Sequence, residues 1–207
     1  MMRPDEFSPR IVVGITGASG VIYGIRALEL LAQLGVETHL VLTRAARATL
    51  AQETSWTAAD ARERASVTHS EHDLGAAIAS GSFPADGMLV APCSVKTLSA
   101  IANSFDDNLL VRAADVTLKE RRPLVLMVRE TPLHPGHIRL MAHASEAGAV
   151  LMPPVPAFYT QPSSIDEMVT HTVARALDAL SLPHPHASRW SGERSAPSAT
   201  DRRSVRA

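Results

Sequence analysis

Apolar positions along the chain fall into short β-branched runs separated by stretches of helical spacing. Ile11, Val12, Val13, Gly14 and Ile15 form a continuous apolar run that stops at Thr16-Gly17-Ala18-Ser19-Gly20, the pattern of a buried strand entering a tight turn. Ile22, Ile25, Leu28, Leu31 and Ala32 then recur along one helix face, and Gly35 stands where a glycine commonly ends a helix. Residues 38–42 predict a second strand, residues 45–53 a short helix behind Thr43 and Arg44, and a weaker third strand falls near Val67. The run 87–91 ends at Pro92, and Ser94 is the expected N-cap of a helix through Ile101. Asp106 and Asp107 are expected to open a helix reaching about Lys119. Pro123 precedes a strand at 124–128, which leads into Arg129 and Glu130. Residues 135–147 predict a helix stopped by Gly148, 149–152 a last strand, and 164–180 an amphipathic closing helix.

Strands alternating with helices imply parallel pairing and right-handed crossovers. The expected fold is therefore an α/β, three-layer, Rossmann-like doubly wound parallel sheet of about six strands. The 207 residues suit one domain, expected at 11–182 after a leader at 1–10. At 183–207 the composition turns to Pro, His, Ser and Arg, which predicts a flexible or subunit-contacting tail.

With 45% hydrophobic residues, 20% charged residues and a net charge of −1, the chain shows neither a nucleic-acid footprint nor the composition of a disordered protein. Cys93 is the sole cysteine, which excludes an internal disulfide and any multi-cysteine metal site. It fits a reducing compartment, so the cytoplasm is expected. The apolar run after the first ten residues is too short for a signal segment or a membrane span, so no membrane association is expected.

In doubly wound sheets ligands bind beyond the carboxyl ends of the strands, and the residues there are polar. Gly17-Ala18-Ser19-Gly20 opens a helix and offers backbone N–H groups and a hydroxyl to a phosphate. The same glycines would equally serve close strand–helix packing. The spacing Gly14-x-x-Gly17-x-x-Gly20, with Thr43-Arg44 where a ribose-binding acid would stand, disfavours a nicotinamide dinucleotide. Ser94-Val95-Lys96-Thr97 adds two hydroxyls and a cation at a second helix start, as a mononucleotide requires, although Ser94 alone would be an ordinary cap. Arg129 follows a strand, where it can hold a phosphate or a ligand carbonyl. Cys93 reads as a buried structural thiol rather than a nucleophile. His69-x-x-His72 and His134-x-x-His137 lack the spacing of a zinc site and read as polar loop histidines. Asp106-Asp107 reads as a helix cap, and no metal is expected.

Several motifs in fixed order carry a resemblance: Gly17-Ala-Ser-Gly-Val-Ile-Tyr-Gly24, Pro92-Cys-Ser-Val-Lys-Thr97, Arg112-Ala-Ala-Asp115, Leu118-Lys-Glu-Arg-Arg-Pro123, Val128-Arg-Glu-Thr-Pro-Leu-His134 and Met152-Pro-Pro-Val-Pro-Ala-Phe-Tyr159. From about Ile11 to Leu180 the chain resembles the UbiX-type flavin prenyltransferases. The resemblance implies binding of reduced flavin mononucleotide (FMN) and dimethylallyl phosphate. It implies transfer of the prenyl group to flavin nitrogen-5 and ring closure at carbon-6, without metal. The product, prenylated FMN, would serve a UbiD-type decarboxylase, in ubiquinone synthesis or in aromatic acid breakdown. A homo-oligomer, commonly a dodecamer with active sites shared between subunits, is also implied.

By position, the resemblance gives Gly17, Ala18, Ser19, Thr43, Ser94, Val95, Lys96, Thr97 and Arg129 to the flavin. It gives Tyr159 and Arg175, with Lys119 and Arg112, to the prenyl phosphate, and proton handling to Ser19, Glu53 and Glu130, the division among those three staying open. Thr43 replaces the serine common at its position and keeps the hydroxyl. Two alternatives share the fold: an FMN-dependent peptidyl-cysteine-type decarboxylase, and a non-catalytic flavin carrier.

Overall fold

The computed structural model describes residues 8–187. Six strands, β1 (Arg10–Ile15), β2 (Glu37–Leu42), β3 (Val67–His69), β4 (Gly87–Cys93), β5 (Leu124–Val128) and β6 (Val150–Leu151), form one sheet in the order β3-β2-β1-β4-β5-β6. Every pairing is parallel, so the doubly wound expectation holds, with the order reversing between β1 and β4. Among the described residues seven helices connect and cover the strands: α1 (Ile22–Gln33), α2 (Arg44–Glu53), α3 (Ala58–Glu63), α4 (Val95–Ala102), α5 (Leu109–Lys119), α6 (Pro135–Glu146) and α7 (Ile165–Asp178).

Because successive strand residues face opposite sides, β1 supplies both cores. Ile11, Val13 and Ile15 pack with Leu28 and Leu31 of α1, Leu50 of α2 and Val173 and Leu177 of α7. Val12 turns the other way, toward Leu98 and Ile101 of α4, Leu109 of α5 and Ala144 of α6. The central strands are buried on both faces, which is why their sequences are continuously apolar rather than alternating.

Several details differ from the sequence reading. β4 runs through Pro92 to Cys93 instead of stopping at the proline. α3 was not expected; six residues are too few to display a periodicity, but Thr57 and Asp60 form a capping box that starts it. α5 is capped by the Asn108 side chain, which accepts from Val111 N–H at 3.1 Å, so Asp106 and Asp107 are not its caps. Asp106 pairs instead with Arg112, and Asp107 approaches Lys96.

His69 is no loop residue. It ends β3 and shares a 3.0 Å hydrogen bond with buried His39, whose other ring nitrogen meets Glu37 at 2.9 Å. His134 caps α6 and lies against His137. The packed chain also continues past Leu182: His184 and Ala187 are buried, Ala187 within the α1/α7 core. The rest of the expected tail and most of the leader lie outside the described residues.

One glycine of the α1 motif is needed for its size alone. A β-carbon on Gly24 would press into the Ala91 carbonyl oxygen and into Ile15 Cγ1 and Cδ1. Alanine brings up to about 1 kcal/mol of helix propensity, yet the obstructing oxygen belongs to the backbone of a buried strand and cannot swing aside. Gly24→Ala is expected to lower unfolding free energy by about 1–3 kcal/mol, read as a lower urea midpoint at unchanged slope.

Candidate functional site

The site forms where β1, β2 and β4 end, with Glu71 and His72 beyond β3 closing one side. Thr16, the first residue after β1, is only 1% exposed. Its hydroxyl donates to the Pro92 carbonyl at 2.7 Å and accepts the Ser94 N–H at 2.9 Å. The β4–β5 pairing shifts register between Val90 and Cys93, so the regular ladder is broken at the point where Thr16 takes hold. Beyond the shift, the Cys93 carbonyl accepts the Arg129 N–H at 3.0 Å.

Two residues one helical turn apart on α2 hold the first turn from the side. Thr49 Oγ1 donates to the Gly17 carbonyl at 3.2 Å, and Glu53 Oε2 accepts the Gly20 N–H at 2.7 Å and the Val21 N–H at 3.4 Å. Glu53 thus places the protein's own carboxylate at the α1 N-terminus, where the dipole favours negative charge. The N–H groups of Gly20 and Val21 are therefore not free to cradle a phosphate. Those of Gly17, Ala18 and Ser19 find no acceptor among the described residues. Gly17 is also required for closeness, since a β-carbon there would collide with Ala45.

Ser94 caps α4: its Oγ accepts the Thr97 N–H at 3.3 Å and donates to Thr97 Oγ1 at 3.1 Å. Thr43 caps α2 by accepting the Ala46 N–H at 3.1 Å. These turns enclose a cavity of about 490 Å³ whose walls include Gly17, Thr43, Ser94, Lys96 and Thr97, the size range of ligand sites. Thr16, Arg44 and Glu71 also line it, and of these only Glu71 was missed by the sequence reading. Thr16 and Arg44 were legible as polar residues directly after strands. Glu71, whose carboxylate accepts the Arg44 N–H at 2.7 Å, gave no local signal. Hydroxyls, open N–H groups and two cations, with Glu71 bonded to the Arg44 N–H and Asp107 facing Lys96, suit a phosphorylated nucleotide.

Arg129 is exposed beside Tyr23, whose phenol pKa is raised by burial, a rise partly offset by the arginine's charge. Glu130 is exposed and folds back on the Thr131 N–H at 3.0 Å. Ser19 is half-buried in the first turn. The four residues expected to bind a prenyl phosphate do not line this cavity. Arg112 is held by Asp106, Asp115 and the Ala79 carbonyl. Lys119 pairs with Glu120 at the far end of α5, toward the amino ends of the strands. Tyr159, in a 3-10 turn at Phe158–Thr160, sets its ring edge-on to His171, and Arg175 pairs with Asp178 one helical turn beyond that histidine. Among the described residues no cluster of three or more His, Cys, Asp or Glu could hold a metal ion, and no helix is long and apolar enough to cross a membrane.

A doubly wound parallel sheet with two capped, hydroxyl-bearing turns around a cavity at its topological switch point defines a mononucleotide-binding α/β protein. The profile of the family described as Flavoprotein matches residues 3–162. The chain is 57% identical over 183 residues to the flavin prenyltransferase UbiX of Thauera aromatica, covering 88% of this chain and 94% of that protein. It is 56% identical over 186 residues to flavin prenyltransferase UbiX of Escherichia coli K12, covering 88% and 98%. The chain belongs to the flavoprotein family and, within it, to the UbiX flavin prenyltransferases. Among solved structures, AnUbiX (PadA1) in complex with FMN and dimethylallyl pyrophosphate matches with a TM-score of 0.89 at 48% identity, covering 90% of this chain and 100% of that one. A dodecameric FMN-dependent UbiX-like decarboxylase from Escherichia coli O157:H7 matches with a TM-score of 0.86 at 46% identity, covering 88% and 100%.

Cys93 is wholly buried at the end of β4, and burial pushes its thiol pKa up to about 12. A reactive thiol needs the thiolate. At about pH 8 the native protein should be alkylated by iodoacetamide about a thousandfold or more slowly than a free cysteine, and at the ordinary rate once unfolded. Mass analysis after timed labelling checks this.

Proposed function

We propose that this chain is a flavin prenyltransferase that moves a dimethylallyl group from dimethylallyl phosphate to nitrogen-5 of reduced FMN and closes a ring at carbon-6. The observation that carries the reading is the convergence of Gly17, Thr43, Ser94 and Thr97 on one cavity, in a chain that matches flavin prenyltransferases over most of its length. The prenylated FMN would serve a UbiD-type decarboxylase, and the catalytic domain is taken as 11–182. A cytoplasmic location belongs to the same reading, supported by the lone reduced cysteine.

Reduced FMN, when bound, would supply the nucleophilic nitrogen-5 and, one ring-fusion carbon away, carbon-6. The residues supply position, charge and proton transfer. The open N–H groups of Gly17 to Ser19 and the hydroxyls of Thr43, Ser94 and Thr97 hydrogen-bond the nucleotide, with Val95, Lys96 and Arg129 at its edge. Breaking the donor's C–O bond leaves a phosphate that gains negative charge. Cations and a phenol stabilise that charge without metal, the role assigned here to Arg175, Tyr159, Lys119 and Arg112. Ser19, Glu53 and Glu130 are the candidates to protonate the leaving phosphate, to supply the proton that the prenyl double bond gains as it closes on carbon-6, and to take the carbon-6 proton.

In a single chain the phosphate-binding set stands away from the cavity. The reading therefore includes a homo-oligomer in which a second copy brings Tyr159 and Arg175 to it, as the dodecameric assembly of the Escherichia coli O157:H7 relative supports. The apolar surface around Tyr159 fits such a contact, with Val155, Phe158 and Ile165 each more than 70% exposed.

Anaerobic incubation with reduced FMN and dimethylallyl phosphate, without added metal, should yield a flavin in which one dimethylallyl unit has replaced a hydrogen, read by mass analysis. The diphosphate donor is run in parallel, since AnUbiX was crystallised with dimethylallyl pyrophosphate. Unchanged flavin with both donors would overturn the transferase reading. Arg175→Ala should raise the KM for the donor roughly tenfold or more while FMN stays bound, because a charge-assisted hydrogen bond contributes about 1.5–3 kcal/mol. An unchanged donor KM would remove Arg175 from the site.

A further inference from the structure

We infer that Thr16 is the positioning residue of the flavin site, holding the ends of β1 and β4, whose turns line it, in a fixed mutual geometry. The inference rests on the proposed flavin site and concerns how that site is assembled.

Parallel strands are joined only through their ladders and crossovers, so nothing covalent sets one strand end against the next. In this chain the β4–β5 ladder shifts register just where the site begins. On the other edge of β4 the β1–β4 ladder ends at Gly14 and Val90, and beyond it the Thr16 side chain joins the two strand ends. It must donate to the Pro92 carbonyl and accept from the Ser94 N–H at once, and a hydroxyl does both. Ser94 opens the turn that carries Lys96 and Thr97, and Cys93, between Pro92 and Ser94, receives the Arg129 N–H. One buried hydroxyl thus ties the first glycine turn after β1 to the second turn after β4, beside the backbone bond that places Arg129.

Valine has the shape of threonine but none of its hydrogen bonding. It would leave the Pro92 carbonyl with only the long 3.3 Å bond from the Thr16 N–H and the Ser94 N–H with no acceptor. Either group can recover a partner only by moving its turn, which shifts the hydroxyls and N–H groups that meet the nucleotide. The consequence falls on flavin affinity rather than on the prenyl donor, whose proposed ligands lie elsewhere.

The test measures FMN dissociation constants by fluorescence quenching, with thermal melting of the same full-length proteins. Thr16→Ser should bind FMN within about twofold of the original protein, Thr16→Cys more weakly because a thiol is a poor donor and acceptor, and Thr16→Val roughly tenfold or more weakly. Thr117→Val serves as control. Thr117 is equally buried and bonded to the Ala113 carbonyl at 2.7 Å on α5, so its loss should lower the melting temperature and leave FMN affinity unchanged.

In turnover, Thr16→Val should raise the KM for reduced FMN and leave that for the donor unchanged. FMN binding by Thr16→Val equal to the original, or an equal loss in Thr117→Val, would overturn the inference. Should Thr16→Val fail to fold, the order Ser, then Cys decides it, and Cys binding as well as Ser would overturn it. Ser94→Ala and Lys96→Ala separate the two levels. If they bind FMN normally, the proposed site itself is wrong; if they weaken binding while Thr16→Val does not, only the role of Thr16 falls.

Discussion

A single buried hydroxyl joins the ends of β1 and β4 beyond the point where their ladder stops, at Gly14 and Val90. Thr16 is buried beneath the turns it connects, and its two hydrogen bonds run in opposite senses, so neither can be replaced by water without opening the sheet. The rest of the site is arranged around that contact. α2 supports the first turn through Thr49 and Glu53, Ser94 caps α4 from the second, and Arg129 follows from the Cys93 carbonyl. Each of these is a hydrogen bond to backbone, which suits a task of fixing N–H groups in space rather than presenting reactive side chains.

Charge is distributed with the same economy. The α1 N-terminus, the obvious place for an anion, already holds the Glu53 carboxylate, and the Arg44 N–H at the start of α2 faces Glu71. The remaining donors around the cavity are open N–H groups and hydroxyls, which can follow a ribityl phosphate without a dense cluster of cations. The cations that a departing phosphate needs are in other places. Arg175 sits in an exposed ion pair within α7, where solvent screening leaves such a pair weak, whereas Arg112 is half-buried among Asp106, Asp115 and the Ala79 carbonyl. A pair like that of Arg175 exchanges partners readily, as would be required if a second copy presents the arginine to the donor.

The sequence carried most of the fold because hydrophobic runs and capping residues are local signals. Ile11 to Ile15 could not be other than a buried strand, Ser94 and Thr43 cap the helices expected of them, and the alternation of elements left one topology. Local signals erred where a residue's role depends on a partner remote in the chain. Pro92 read as a stop, yet β4 continues to Cys93. Asp106 and Asp107 read as caps, yet Arg112 and Lys96 draw them away and Asn108 takes the role. His69 read as a loop residue, yet it pairs across the sheet with His39.

By itself the sequence determined the class of sheet, the placing of glycine and hydroxyl residues at strand ends and, through its motifs, the family. Those follow from periodicity, turn chemistry and residue identity at short range. Only the tertiary structure decided that Glu53 sits on the α1 N-terminus, that Glu71 guards the start of α2, and that Thr16 joins β1 to β4. The reason is that a hydrogen bond between residues 33 or 78 positions apart leaves no trace in local spacing. It exists only once the crossovers have brought the strand ends side by side.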